Sequence, residues 1–171
     1  GFNNTYGLVV RREIAEKYNL KTYSDLKAVA GDLTFGAEYD FFEREDGYDA
    51  LCETYGLNFG KTMDLDIGLK YQAINQKKID AMVIFTTDGQ LSASDVVVLE
   101  DDKHIYPSYI CGNVIRAEVL EKYPELKSVL EKLNGLITDN DMAAMNYAVE
   151  SENKEPRDVA KEYLSSHNLL Q

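Results

Sequence analysis

The chain predicts an α/β fold, and three features of its sequence carry that prediction. Residues 79–85 form a mostly apolar run, unbroken from Ala81 to Phe85, with the length and residue types of a strand buried on both faces. The run stops at Thr86, Thr87, Asp88 and Gly89, a cluster that favours turns. Upstream, short apolar stretches alternate with segments whose apolar residues recur at helical spacing, the pattern of a sheet sandwiched by helices. In open sheets of this class ligands gather beyond the carboxyl ends of the strands. Phe85 is therefore expected at the mouth of a ligand cleft.

The elements follow in order. A turn-like opening leads into a strand at residues 8–11, then a helix at 12–18 and a second at 24–30, with Ser24 as N-cap and Gly31 as its end. Residues 33–37 read as a strand, and the acids and aromatics of 38–47 as a cleft-facing loop. Tyr48, Leu51, Cys52 and Tyr55 define a helical face that Gly56 ends. A strand at 62–65 and a helix carrying Ile67, Tyr71 and Ile74 then lead to the 79–85 strand. This β-α-β-α-β alternation predicts a mainly parallel sheet.

Beyond Gly89 the pattern changes. Residues 96–99 form another strand, 105–109 an extended segment stiffened by Pro107, and 110–115 a further strand. From Ala117 the chain is helical: Leu126, Val129, Leu130 and Leu133 share a face, Thr138 to Asp141 form a capping box, and Pro156 fits the first turn of a last helix. The first 106 residues hold enough strands and helices for a closed lobe. The apolar helix faces after Ser108 need a sheet that one strand barely supplies, so self-association through them is expected.

Composition limits the chemistry. With 171 residues, 44% of them hydrophobic and 28% charged, the chain can build one good core or two small lobes. Its net charge of −12 argues against a nucleic-acid partner, which needs clustered Lys and Arg, and suits a small cationic ligand better. Cys52 and Cys111 match no metal or redox spacing and read as two buried thiols. His104 and His167 are too isolated for a metal or catalytic pair, and Asp101 with Asp102 reads as a solvated turn, lacking a calcium loop's spacing. The acids between Glu38 and Asp46 invite an acid-pair hydrolase reading, which nothing else in the chain supports. Twelve Tyr, six Phe and no Trp point instead to rings that are apolar on the face and wet at the edge.

The stretches GFNNTYGLVVRREIAEKYNLKTYSDL, FGAEYDFFEREDGYDAL, MDLDIGLKYQAIN, TTDGQL and VVLEDDK followed by YPSY run in this order along essentially the whole chain. Together they resemble the substrate-binding proteins of ABC importers for glycine betaine, carnitine and choline. The resemblance implies a type II periplasmic-binding-protein fold, a clamshell of two α/β lobes with the ligand between them. Residues 1–107 would be lobe two, with hinge crossings at both ends, and 108–171 the helix-rich C-terminal portion of lobe one, whose N-terminal portion is expected outside this sequence.

The family's ligands share a trimethylammonium head, which has charge but no N–H group, so a box of aromatic faces recognises it. The matching positions here are Tyr6 in NNTY, Phe85 before TTDG and Tyr109 at the end of YPSY, with a fourth ring expected from outside the sequence. Asn4 matches a position beside the pocket, and Arg44 an arginine that contacts the carboxylate of betaine-type ligands. Phe85 stands where the family usually has tyrosine, which keeps the π face and loses a hydroxyl. The resemblance further implies an ABC permease as partner, an extracytoplasmic protein tethered as a lipoprotein or by fusion to the permease, and neither catalysis, cofactor nor metal. The alternative is a truncated lobe that serves as scaffold or sensor without competent binding.

Overall fold

A computed structural model describes residues 1–170. The chain divides into two compact units: residues Tyr6–Phe85 with Leu91–Pro107, and residues Gly1–Thr5 with Thr86–Gln90 and Ser108–Gln171.

The first of these is a five-stranded sheet with helices on both faces. Its strands are β1 (Tyr6–Arg11), β2 (Thr34–Ala37), β3 (Lys61–Asp64), β4 (Ala81–Phe85) and β5 (Val96–Val98), in the order β3-β2-β4-β1-β5. The apolar strands β1 and β4 take the middle, whereas β3, with exposed Lys61 and Asp64, lies at an edge, where charge discourages further pairing. Side chains alternate between faces as strand geometry requires. Leu8, Val10, Phe35, Ala81 and Val83 enter one core; Val9, Met82 and Ile84 enter the other, with Tyr71 and Ile74.

The sheet is mixed, not mainly parallel: β2 runs parallel to β3 and β4, but β1 runs antiparallel to both β4 and β5. A strand that is apolar on both faces fits either direction. Its direction depends on where the chain enters the sheet, which periodicity does not encode.

The helices of this unit are α1 (Arg12–Tyr18), α2 (Tyr39–Glu43), α3 (Tyr48–Tyr55) and α4 (Lys70–Asn75). Three local expectations change. In place of a helix at 24–30 stand two 3₁₀ turns, Ser24–Ala28 and Ala30–Asp32, and Ser24 gives its hydroxyl to Asp102 at 2.6 Å instead of capping a helix. The carboxylate of Asp25 accepts from the backbone of Lys21 and Thr22, each at 2.9 Å, a local bond that competes with helix formation. The loop expected over 38–47 contains α2, because Phe41 is buried against Tyr6 and Phe35 and pins a helical turn. The turn after it depends on Gly47, where a Cβ would lie 1.9 Å from the Phe41 carbonyl oxygen. Ile67 lies before α4 and is exposed, so the apolar face of that helix begins only at Tyr71.

The second unit is mostly helical, with α5 (Ala117–Lys122), α6 (Glu125–Leu130), α7 (Asp139–Glu150) and α8 (Pro156–Ser166). The strand expected at 110–115 is reduced to one bridge, Asn3 to Ile110, and Ile110 and Val114 are exposed. The shared face of Leu126, Val129, Leu130 and Leu133 is broken into α6 and a following 3₁₀ turn, and none of the four is buried. Among the described residues of this unit, Val159 of α8 is the buried large apolar side chain. Cys111 is exposed and Cys52 half-buried, both free thiols, so the expected pair of buried thiols is corrected.

The capping box at α7 forms as the sequence predicts. Thr138 Oγ1 accepts from the Asp141 N–H at 3.2 Å, and the Asp141 carboxylate accepts from the Thr138 N–H at 2.9 Å. The Thr138 hydroxyl also donates to Asp141 and, with that N–H, holds its carboxyl below the usual range. A group with a depressed folded value contributes stability above its unfolded value and loses it as pH falls through the folded one. Thr138→Ala is expected to lower the melting temperature at neutral pH by about 2–4 °C. In thermal melts the difference from the unaltered protein should shrink below the carboxylate range; an equal difference at all pH values would count against this coupling.

Candidate functional site

The site grows from one cross-strand pair. Antiparallel pairing of β1 with β4 sets Tyr6 opposite Phe85, Leu8 opposite Val83 and Val10 opposite Ala81. Directly opposed side chains on one face of a sheet lie within contact range. The rings of Tyr6 and Phe85 stack with centroids 5.0 Å apart at 28°. Two more rings close on Tyr6: Phe41 of α2 at 5.2 Å, edge-on, and Tyr106 at 5.4 Å, tilted.

Tyr106 is held by an acid that the sequence presents as a solvated turn. Asp101 accepts the Tyr55 hydroxyl and the backbone N–H groups of Ile105 and Tyr106, both at 3.2 Å. The turn is solvated at Asp102, Lys103 and His104, as the sequence reading has it, but anchored at Asp101. Burial pushes the Tyr106 hydroxyl well above the ordinary tyrosine range, with smaller contributions from Tyr23, Asp101, Tyr6 and Asp46. Burial also raises Tyr6, and Asp46, Glu38 and Asp40 add to this while Arg44 opposes it. Both phenols stay neutral at physiological pH, so their rings keep an undistorted quadrupole.

Arg44 stands beside this cluster. Its guanidinium carbon lies 5.9 Å from the Tyr6 centroid, within cation–π range. It makes a bidentate pair with Asp46, Nε to Oδ1 at 2.7 Å and Nη2 to Oδ2 at 2.9 Å. The pair is about half exposed, in a setting where ion pairs contribute little to stability. A guanidinium fork so placed can engage a second carboxylate.

Lys70 of α4 was not among the candidates read from the sequence. Its side chain is 1% exposed, its ammonium donates to Glu38 at 2.8 Å, and it stands 5.2 Å from the Phe85 centroid. One signal could have found it: a lysine beside Tyr71, Ala73 and Ile74 in an otherwise apolar helical stretch. Tyr106 and Phe41 are the other missed members, and nothing in their spacing distinguishes them from core rings.

Asn4 and Tyr109 belong to the other unit, where they are joined: the Asn4 N–H donates to the Tyr109 carbonyl at 3.0 Å. The Tyr109 N–H donates to Asn3 Oδ1 at 2.7 Å. The Thr87 hydroxyl donates to Asn4 Oδ1 at 2.6 Å, and Asn146 of α7 donates to the Thr87 carbonyl at 2.9 Å. Gly89 completes this fit, since a Cβ there would lie 2.4 Å from the Tyr147 backbone nitrogen. The TTDG turn is thus shaped to seat on α7 and to orient Asn4. The structure brings Tyr6, Phe85 and Arg44 together in one unit, and Asn4 and Tyr109 together in the other.

Away from these residues, a hollow of about 430 Å³ lies at the far end of β1 and β4, lined by Arg11, Glu13, Lys17, Asp32 and Asp80 among others. Arg11 pairs there with Glu13 and Asp80, and Lys77 with Glu13, so its charges are largely spent on one another. No cluster of three or more His, Cys, Asp or Glu side chains that could hold a metal ion occurs among the described residues. No helix among them is long and apolar enough to cross a membrane.

Comparison with known proteins gives this geometry a context. The family of substrate-binding domains of ABC-type glycine betaine transport systems matches residues 1–166. An ergothioneine transport permease and ergothioneine-binding protein of Helicobacter pylori is 46% identical over 169 residues, covering 99% of this chain and 31% of that protein. A carnitine transport binding protein of Listeria monocytogenes is 38% identical over 172 residues, covering 100% of this chain and 56% of its own length. A solved structure described as a glycine betaine/carnitine/choline ABC transporter shares 40% identity at a TM-score of 0.81, over 99% of this chain and 62% of that one. The chain thus spans between about a third and two thirds of these relatives. Its fold is that of the type II periplasmic binding proteins, and the chain belongs to the family of substrate-binding domains of glycine betaine-type ABC importers.

Proposed function

We propose that this chain serves in the capture of a trimethylammonium solute outside the membrane for delivery to an ABC permease, and that Tyr6 and Phe85 receive the cationic head. The stacked pair at the ends of β1 and β4 carries the reading. Its rings, backed by Phe41 and Tyr106, offer π density to a group that hydrogen bonds cannot recognise. The named relatives bind ergothioneine or carnitine, and both compounds, like glycine betaine, join a trimethylammonium to a carboxylate. Arg44 supplies the counter-charge for that carboxylate, with Asp46 as the partner it must share or exchange. Asn4 and Tyr109 are further contacts on the same reading, as is the assignment of residues 1–107 to lobe two and 108–171 to lobe one. The relatives are transport-binding proteins, so the cycle consists of binding and release with no bond broken. They lend no support to a scaffold or sensor.

Magnitudes show why two rings do not suffice. At about 0.5–2 kcal/mol each they supply at most ~4 kcal/mol, whereas a micromolar complex requires about 8. The remainder falls to the carboxylate contact and to contacts beyond this pair.

Two experiments test this. In calorimetric titrations with glycine betaine, carnitine and ergothioneine, Phe85→Ala should weaken the bound ligand about 5- to 30-fold, the loss of one ring, and Phe85→Tyr should change it less than about threefold. Unaltered titrations for the alanine variant would remove Phe85 from the site. Arg44→Ala should weaken these carboxylate-bearing ligands about tenfold or more while changing choline, which has no carboxylate, less than about twofold. Equal losses for both classes would mean that Arg44 acts on the cation box and not on the carboxylate.

A further inference from the structure

Ligand capture as described makes no use of Lys70, a charged side chain beside the stacked rings. A lysine 1% exposed is costly unless its charge is compensated, and Glu38, 17% exposed and directly following β2, contributes that compensation. Glu38 occupies the N-cap position of α2 without capping it; its carboxylate turns to the Lys70 ammonium at 2.8 Å. The ammonium, meanwhile, lies 5.2 Å from the centroid of Phe85 and 5.7 Å from that of Tyr71. A ring proposed to receive a ligand cation therefore already stands in the field of a protein cation.

We propose that the buried pair of Lys70 with Glu38 is a specificity-determining element that makes the site select zwitterionic trimethylammonium compounds over purely cationic ones. This rests on the reading of Phe85 as a cation-receiving ring. Two cations near one ring repel each other, and beside an ammonium whose side chain is 1% exposed salt screens that repulsion weakly. Glu38 cancels much of the Lys70 charge at a distance, but the ammonium is the member of the pair placed within cation–π range of Phe85. A ligand such as choline carries no charge of its own to offset what remains of this positive potential. A ligand that also carries a carboxylate brings its own compensation and loses less. Lys70 is thus a positioning residue for charge: it acts on the ligand through the ring and the local potential, not by contact.

The test is the ratio of two affinities, which a merely structural role would not move. Choline and the zwitterion bound best among glycine betaine, carnitine and ergothioneine are titrated into the unaltered protein and into Lys70→Met, Lys70→Arg and Glu38→Gln, each checked by thermal melting. Lys70→Met keeps the buried stem and leaves Glu38 negative, so the zwitterion-to-choline affinity ratio should fall about tenfold, equivalent to about 1.4 kcal/mol. Glu38→Gln should raise the ratio, and Lys70→Arg should hold it within about twofold. A ratio unmoved by both charge changes, or moved in the same direction by both, overturns the proposal, as does parallel loss of both ligands in Lys70→Met. If Lys70→Met does not fold, the direction of the Glu38→Gln shift decides. Failure of the unaltered protein to bind any of the four compounds overturns the underlying reading of the site instead.

Discussion

Tyr6 can stack on Phe85 only because β1 and β4 run antiparallel in one register. A slip of a single residue would carry every side chain of β1 to the opposite face of the sheet, removing Leu8 and Val10 from one core and Val9 from the other along with the ring. The apolar cores on the two faces therefore hold the rings in place: burial of residues far from the site fixes the geometry at it. The same register places the start of β1 beside the end of β4. Past those ends the chain stays paired, with the Thr86 N–H donating to the Thr5 carbonyl at 3.0 Å and the Thr5 N–H to Thr86 Oγ1 at 3.2 Å. Residues 1–5 and 86–90 thus group in the same compact unit.

Around the stacked pair, charge is arranged in compensated couples. Arg44 is matched by Asp46 and Lys70 by Glu38, and each cation lies within cation–π range of one of the stacked rings, Tyr6 or Phe85. The two couples differ in what surrounds them. The exposed one can trade its carboxylate for another at little cost. Removing either member of the buried one is far more costly, so it acts as a fixed element of the local field. A chain whose net charge is −12 thus carries two cations, each paired with a carboxylate, at its aromatic cluster, a distribution that whole-chain charge does not convey.

Much of the architecture was legible in the sequence because it rests on local signals. The helix from Arg12 to Tyr18, the α3 face ended by Gly56, the box at Thr138 and the proline opening α8 each depend on residues within a few positions of one another. Strand direction was not legible, since β1 and β4 carry the same two-sided apolar pattern whichever way they run. Phe41 likewise turns an apparent loop into α2 through contacts with rings distant in sequence. At the site, Tyr6, Phe85 and Arg44 were named from motifs, and the structure adds the company they keep. Lys70 shows in the sequence only as a lysine in an apolar helical stretch, and neither its partner Glu38, 32 positions away, nor the partner of Asp101, Tyr55 at 46 positions, can be read from local spacing.

The central claim is that the faces of Tyr6 and Phe85 meet a ligand's methyl groups, and isotope-filtered nuclear Overhauser spectroscopy on the complex tests it most directly. With aromatic side chains labelled, the trimethylammonium protons of glycine betaine, carnitine or ergothioneine should show cross-peaks to the ring protons of both Tyr6 and Phe85, and their resonance should move upfield under the ring currents. A bound ligand whose methyl protons reach neither ring would contradict the account.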